Sequence, residues 1–209
     1  MKYTLIICIA LAPLTSSAVV VIDNLANGTQ GFSTGVTSPD LTGIFSAPNN
    51  QTAFTVTTGP AGGTLTSIDL VIAVANNDTP MIATISTGAS VPGGTNPVTF
   101  DTVTPAASAG ITTITFSNVG VALDPSTTYW FHFTVASGQG SYSILNTNTP
   151  QEFAGWDLGN TWNLPTIGGW NEITSGPQAR AQFNIAPVPE PASSLLGGIA
   201  TLLLLRRRR

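Results

Sequence analysis

Between residues 19 and 186, apolar and polar side chains alternate with a period of two, the repeat of a strand that buries one face. Nowhere in that span do they hold the 3.6-residue repeat of an amphipathic helix. In TSIDLVIAVA (66–75), Ile68, Leu70, Ile72 and Val74 share one face, and Ser67, Asp69, Val71 and Ala73 share the other. In TTYWFHFTVA (127–136), Tyr129, Phe131, Phe133 and Val135 alternate with Trp130, His132 and Thr134. QTAFTVTT (51–58) sets Phe54 and Val56 against threonines. AVVVID, PMIATIS, NPVTFDTV, GITTITF, GSYSIL and ARAQFNI complete the predicted strands. The breaks between them are turn chemistry: TGPAGG (58–63), ANNDTP (75–80), VPGGTNP (91–97), LDPSTT (123–128) and SGQG (137–140) are rich in Gly, Pro, Asn and Asp. Short strands at this spacing predict an all-β domain over 19–186, an antiparallel β-sandwich of jelly-roll-like form.

The two ends follow a different pattern. Lys2 precedes an apolar stretch from Leu5 to Leu14, and Ser16-Ser17-Ala18 then offers small residues at both positions before a cut. This predicts a secretory signal peptide over 1–18, cleaved by signal peptidase between Ala18 and Val19. At the other end, 192–205 is apolar for fourteen residues, short of the roughly 20 that a stable helical span needs. Gly197 and Gly198 weaken it further as a helix. Arg206, Arg207, Arg208 and Arg209 would hold the cytoplasmic side, so the segment predicts a short transmembrane helix that anchors the chain in the inner membrane only in transit. Pro187-Val188-Pro189-Glu190-Pro191 before it is a rigid extended linker that continues neither a helix nor a ladder.

A Pro-Glu-Pro triplet (Pro189, Glu190, Pro191), an apolar stretch and a terminal arginine cluster, in that order, resemble the PEP-CTERM sorting signal of Gram-negative bacteria. The resemblance covers 187–209. It implies recognition by a membrane exosortase, cleavage near the triplet, and delivery to the cell surface or extracellular matrix of an organism that makes exopolysaccharide. The body carries a second, looser resemblance. IDNL (22–25), GPAGGTLTSIDLVIAV (59–74), LDPSTTYWFHFTV (123–135) and WDLGNTW (156–162) followed by GGW (168–170) resemble, in order, the choice-of-anchor domains of bacterial surface proteins, nearest to type R. That resemblance implies surface display and carries no functional residue with it.

Charge narrows the partners. Only 8% of residues are charged, against roughly 25% in an ordinary soluble domain. Threonine, serine, asparagine and glycine supply the polar surface instead. Within 19–186 there are nine carboxylates and one cation, Arg180, a net charge of −8. Such a body repels nucleic acid and anionic lipid. Cys8, the only cysteine, lies in the predicted signal peptide, so the body has neither a disulfide nor a thiolate metal site.

The chemistry-bearing stretch is QEFAGWDLGNTWNLPTIGGWNE (151–172). Trp156, Trp162 and Trp170 lie among Asp157, Asn160, Asn163 and Asn171. Indole faces stack on sugar rings while amides and carboxylates bind hydroxyls, which predicts a carbohydrate-binding surface on a loop. The alternative is that these tryptophans close one end of the core, and the usual burial of tryptophan favours it. Glu152, Asp157 and Glu172 would act as a glycosidase pair only if two of them faced one another across a cleft. His132 is the only histidine and sits in a predicted strand, which excludes a two-histidine metal site and leaves it reading as a strand residue rather than a triad base. No cofactor is expected. Asp23 with Asn24, and Asn76-Asn77-Asp78, offer oxygens of the kind calcium takes, in no loop motif. Asn27-Gly28-Thr29, Asn50-Gln51-Thr52 and Asn77-Asp78-Thr79 match the glycosylation pattern. The sequence therefore reads as an exported, non-enzymatic surface or matrix protein, with a carbohydrate-binding module as the alternative and a polysaccharide-active enzyme behind both.

Overall fold

The computed structural model describes residues 17–26, 33–37, 50–76, 79–88, 95–106, 110–136, 140–147, 149, 151–164, 169–173 and 178–186. The predicted sorting tail, nearly all of the predicted signal peptide, the Asn27 sequon, Asn77 and Asp78 lie outside the described residues. Ala18 and Val19, which flank the predicted cut, lie within them and are exposed.

The described residues form β1 (Val19–Asp23), β2 (Ser33–Thr37), β3 (Gln51–Thr57), β4 (Gly63–Asn76), β5 (Met81–Thr87), β6 (Thr95–Val103), β7 (Gly110–Leu123), β8 (Thr128–Val135), β9 (Ser141–Thr147), β10 (Asp157–Leu164), β11 (Asn171–Glu172), β12 (Gln178–Ala179) and β13 (Ala181–Ala186), with no helix among them. The described residues are all-β, built from two antiparallel sheets. In the first sheet the order is β1-β13-β4-β9-β12, with β2 on β9 and β7 on β4; in the second it is β11-β10-β3-β8-β5-β6. Four antiparallel pairings are nested along the chain: β2 with β9, β3 with β8, β4 with β7 and β5 with β6. The stretch from β2 to β9 is thus one long hairpin folded over so that its strands are shared between two sheets.

The alternating pattern decides which way each strand faces. Ile68, Leu70 and Ile72 are fully buried, and Val74 nearly so, on the inner side of β4. Phe131 and Phe133 do the same on β8, with Phe54 beside them on β3. Across the gap, Phe183 of β13 meets Phe131 edge-on at 5.0 Å and Phe54 at 6.2 Å, while Phe116 of β7 meets Phe133 at 5.7 Å. One aromatic core therefore joins the two sheets. Rings offset or edge-on add to the area they bury.

Two local devices hold the ends. The β7–β8 turn is clamped by Thr58, whose hydroxyl donates to the Asp124 carbonyl (2.6 Å) and accepts from the Thr127 N–H (2.9 Å). Tyr129 folds its phenol back to accept from the Asp124 N–H (2.8 Å), the logic of the tyrosine corner in other two-sheet proteins. Thr58 is 2% exposed, so Thr58→Val removes two hydrogen bonds from a part-buried turn. The expected cost is about 1–3 kcal/mol, read as a lower urea midpoint with an unchanged slope.

The second device is a fork. Strands β12 and β13 form one run interrupted at Arg180. Its N–H donates to Leu145 of β9 (2.8 Å) and its carbonyl accepts from Val71 of β4 (3.0 Å). The run changes partner at this residue, from β9 to β4. The Arg180 side chain donates to the Leu25 carbonyl through Nε (3.1 Å) and Nη2. The lone cation of the body is a structural residue.

Candidate functional site

The segment expected to be a tryptophan-bearing loop is partly strand. Residues 157–164 form β10, paired with β3 on one side and β11 on the other. A bulge between Leu158 and Thr161 breaks the alternation. Leu158 and Thr161 are buried, and Trp162 lies on the outer side opposite Ala53. Gly159 fits the bulge because a β-carbon there would run into the Thr55 side chain.

The three tryptophans do not form one surface. Trp156 is 5% exposed and belongs to the core. Its indole closes over Gly59, where an added β-carbon would come within 2.9 Å of the ring. Trp156 therefore fits the end-closing alternative, and its ring offers no open face to a ligand. Trp162 and Trp170 remain partly exposed. They stand on the outer face of the second sheet, each against a residue of β8: Trp162 meets Trp130 edge-on at 5.4 Å, and Trp170 meets His132 edge-on at 5.2 Å. Asp157 is exposed on β10 opposite Thr57.

His132 sits beneath this cluster. Its Nε2 lies 2.7 Å from Gln51 Oε1. An amide oxygen only accepts, so the neutral imidazole carries its proton on Nε2 and donates. Burial under the aromatic layer drives the imidazole down from 6.5 to about 4, because the charged form loses its water. The ring is neutral at pH 7 and serves as a packed, hydrogen-bonded support.

Two carboxylates of the segment hold hydrogen bonds within it. The Glu152 backbone bridges Ile22 of β1, and its Oε1 accepts from the Leu158 N–H (2.8 Å). Glu172 of β11 lies opposite Trp162 and accepts from Asn160 Nδ2 (2.6 Å). At the candidate calcium oxygens, Asn24 is fully buried and its Oδ1 accepts from the Gln151 N–H (2.6 Å). No group of three or more His, Cys, Asp or Glu residues among those described is placed to hold a metal ion. In the sequon at Asn50, Thr52 is fully buried within β3. Ile85, Val98, Val121 and Tyr129 line a cavity of about 110 Å³.

No family model, no curated protein and no solved structure matches the chain. What the aromatic face can do follows from its own geometry: it presents two partly exposed indoles and a hydrogen-bonded amide and carboxylate beside them, with no positive charge on it among the described residues. Trp130 and His132 escape a sequence search for sites, since each is one polar-side member of an ordinary alternating strand. The signal that pointed to the region was the density of tryptophan between 156 and 170.

Proposed function

We propose that the chain is an exported, non-enzymatic protein of the cell surface or extracellular matrix, a jelly-roll β-sandwich delivered between two address segments. The observation that carries this reading is a coincidence of boundaries. Strand β1 begins at Val19, the residue after the predicted signal-peptide cut, and β13 ends at Ala186, the residue before Pro187-Val188-Pro189-Glu190-Pro191. The predicted first cut falls at the very start of the β1 ladder, where Val19 pairs with Ile185, and the predicted tail begins one residue past β13. The nested strand pairs are the connectivity of a jelly roll, with β1, β10, β11, β12 and β13 added to its two sheets. The low charge of the body suits a protein embedded in hydrated polysaccharide, and the tail's resemblance to an exosortase signal gives the route.

Intact mass spectrometry of the protein recovered from its native host tests this. The expected species lacks residues 1–18 and ends close to the Pro189-Glu190-Pro191 triplet. A full-length chain recovered from the cytoplasm overturns it.

A further inference from the structure

We propose that the outer face of the second sheet binds a neutral saccharide chain through Trp162 and Trp170, and that it discriminates against acidic polysaccharide. Three observations converge on this occupant. The first is the pair of indoles. Their supports, Trp130 and His132, are two residues apart on one side of β8, about 7 Å along the strand. The ring pairs meet at 83° and 77° with centroids 5.4 and 5.2 Å apart, so the two indoles lie on adjacent parts of one face, and both stay partly exposed there. The C–H faces of a pyranose match an indole in area and polarity, as a polar ligand without an apolar face does not.

The second observation is the polar edge. Glu172 lies directly across the ladder from Trp162, hydrogen-bonded to Asn160. This amide–carboxylate pair is exposed beside the ring, where its remaining lone pairs and N–H suit sugar hydroxyls, which both donate and accept.

The third is charge. Uronate, sulfate or phosphate groups need a cation, and the body has one, Arg180. Its guanidinium is held by the Leu25 carbonyl at the strand fork. Glu172 and Asp157 are the charged side chains nearest in register to Trp162 on this face. An acidic polymer meets only repulsion here, so the chain bound is neutral.

The inference does not depend on how the protein reaches the cell exterior. Its test uses the full chain in a detergent without a sugar headgroup, titrated with cello-, malto-, manno- and xylohexaose and with hexagalacturonate, and followed by tryptophan fluorescence and calorimetry. At least one neutral hexasaccharide should bind and hexagalacturonate should not. Trp170→Ala should weaken that binding at least tenfold. Trp170 precedes β11 and lies outside the ladders, and the melting midpoint of the variant reports that it is folded when binding is read. Trp162→Leu, which retains an apolar group on β10, provides the second variant and should weaken binding equally. Failure of all four neutral chains to bind overturns the proposal. So does undiminished binding by both folded variants, or hexagalacturonate binding as tightly as the best neutral chain.

Discussion

Replacing Phe183 with alanine should destabilise the protein by about 3–5 kcal/mol, the range for removing a large buried aromatic. Phe183 is fully buried. It is the ring of the first sheet that touches both Phe54 and Phe131 of the second, so its loss opens a cavity where the sheets meet. The surrounding strands cannot collapse to fill it, since β13 is laddered to β1 and to β4 on its two sides. Phe153 is the internal comparison. It is 48% exposed, and Phe153→Ala should shift stability by no more than about 0.5 kcal/mol. Chemical unfolding of both variants decides the matter. Equal effects would mean that the two sheets do not share this core.

Acidification should weaken the fold through His132. The unfolded chain takes up this proton near pH 6.5, whereas the folded domain resists it until about pH 4. Stability from this residue is therefore complete above pH 6.5, declines between 6.5 and 4, and levels off below. The total is about 3 kcal/mol. Urea midpoints measured across this window should fall on the acid side for the natural protein. In His132→Gln, which keeps a hydrogen-bonding group without a titrating one, the decline should be smaller by about that amount. A variant whose profile superimposes on that of the natural protein would show that the imidazole is not shielded as described.

Much of the architecture can be read from period-two alternation because one face of most strands is buried and the other is not. The inner faces of β4 and β8 follow directly from Ile68, Leu70, Ile72 and Val74 and from Tyr129, Phe131, Phe133 and Val135. Strand β10 escapes that reading for a physical reason. Gly159 and Asn160 form a bulge, which inserts turn-forming residues into a strand and throws its alternation out of step. Strand β2, STGVT, lacks a run of large apolar residues and is identified only by its pairing with β9. GITTITF marks only the first half of β7, which continues through Ser117, Gly120 and Val121 because β4 runs alongside it. At the candidate site, local sequence identifies Trp162 and Trp170 but not what they cover. The burial of His132 depends on a residue thirty-eight positions later folding back over β8, and no local pattern encodes that. Trp156 differs from its neighbours only in arriving beside Gly59, which is likewise a tertiary fact.

The position of β13 has a mechanical consequence. This last strand is an interior one, laddered to β1 on one side and β4 on the other. A tension drawn along the strand from the chain beyond Ala186 loads both ladders in shear. In antiparallel pairs the hydrogen bonds lie perpendicular to the strands, so they share such a load and must rupture together, whereas a peeled edge strand would lose them one at a time. A domain suspended from this end resists being dragged apart far better than one hung from a margin of its sheet.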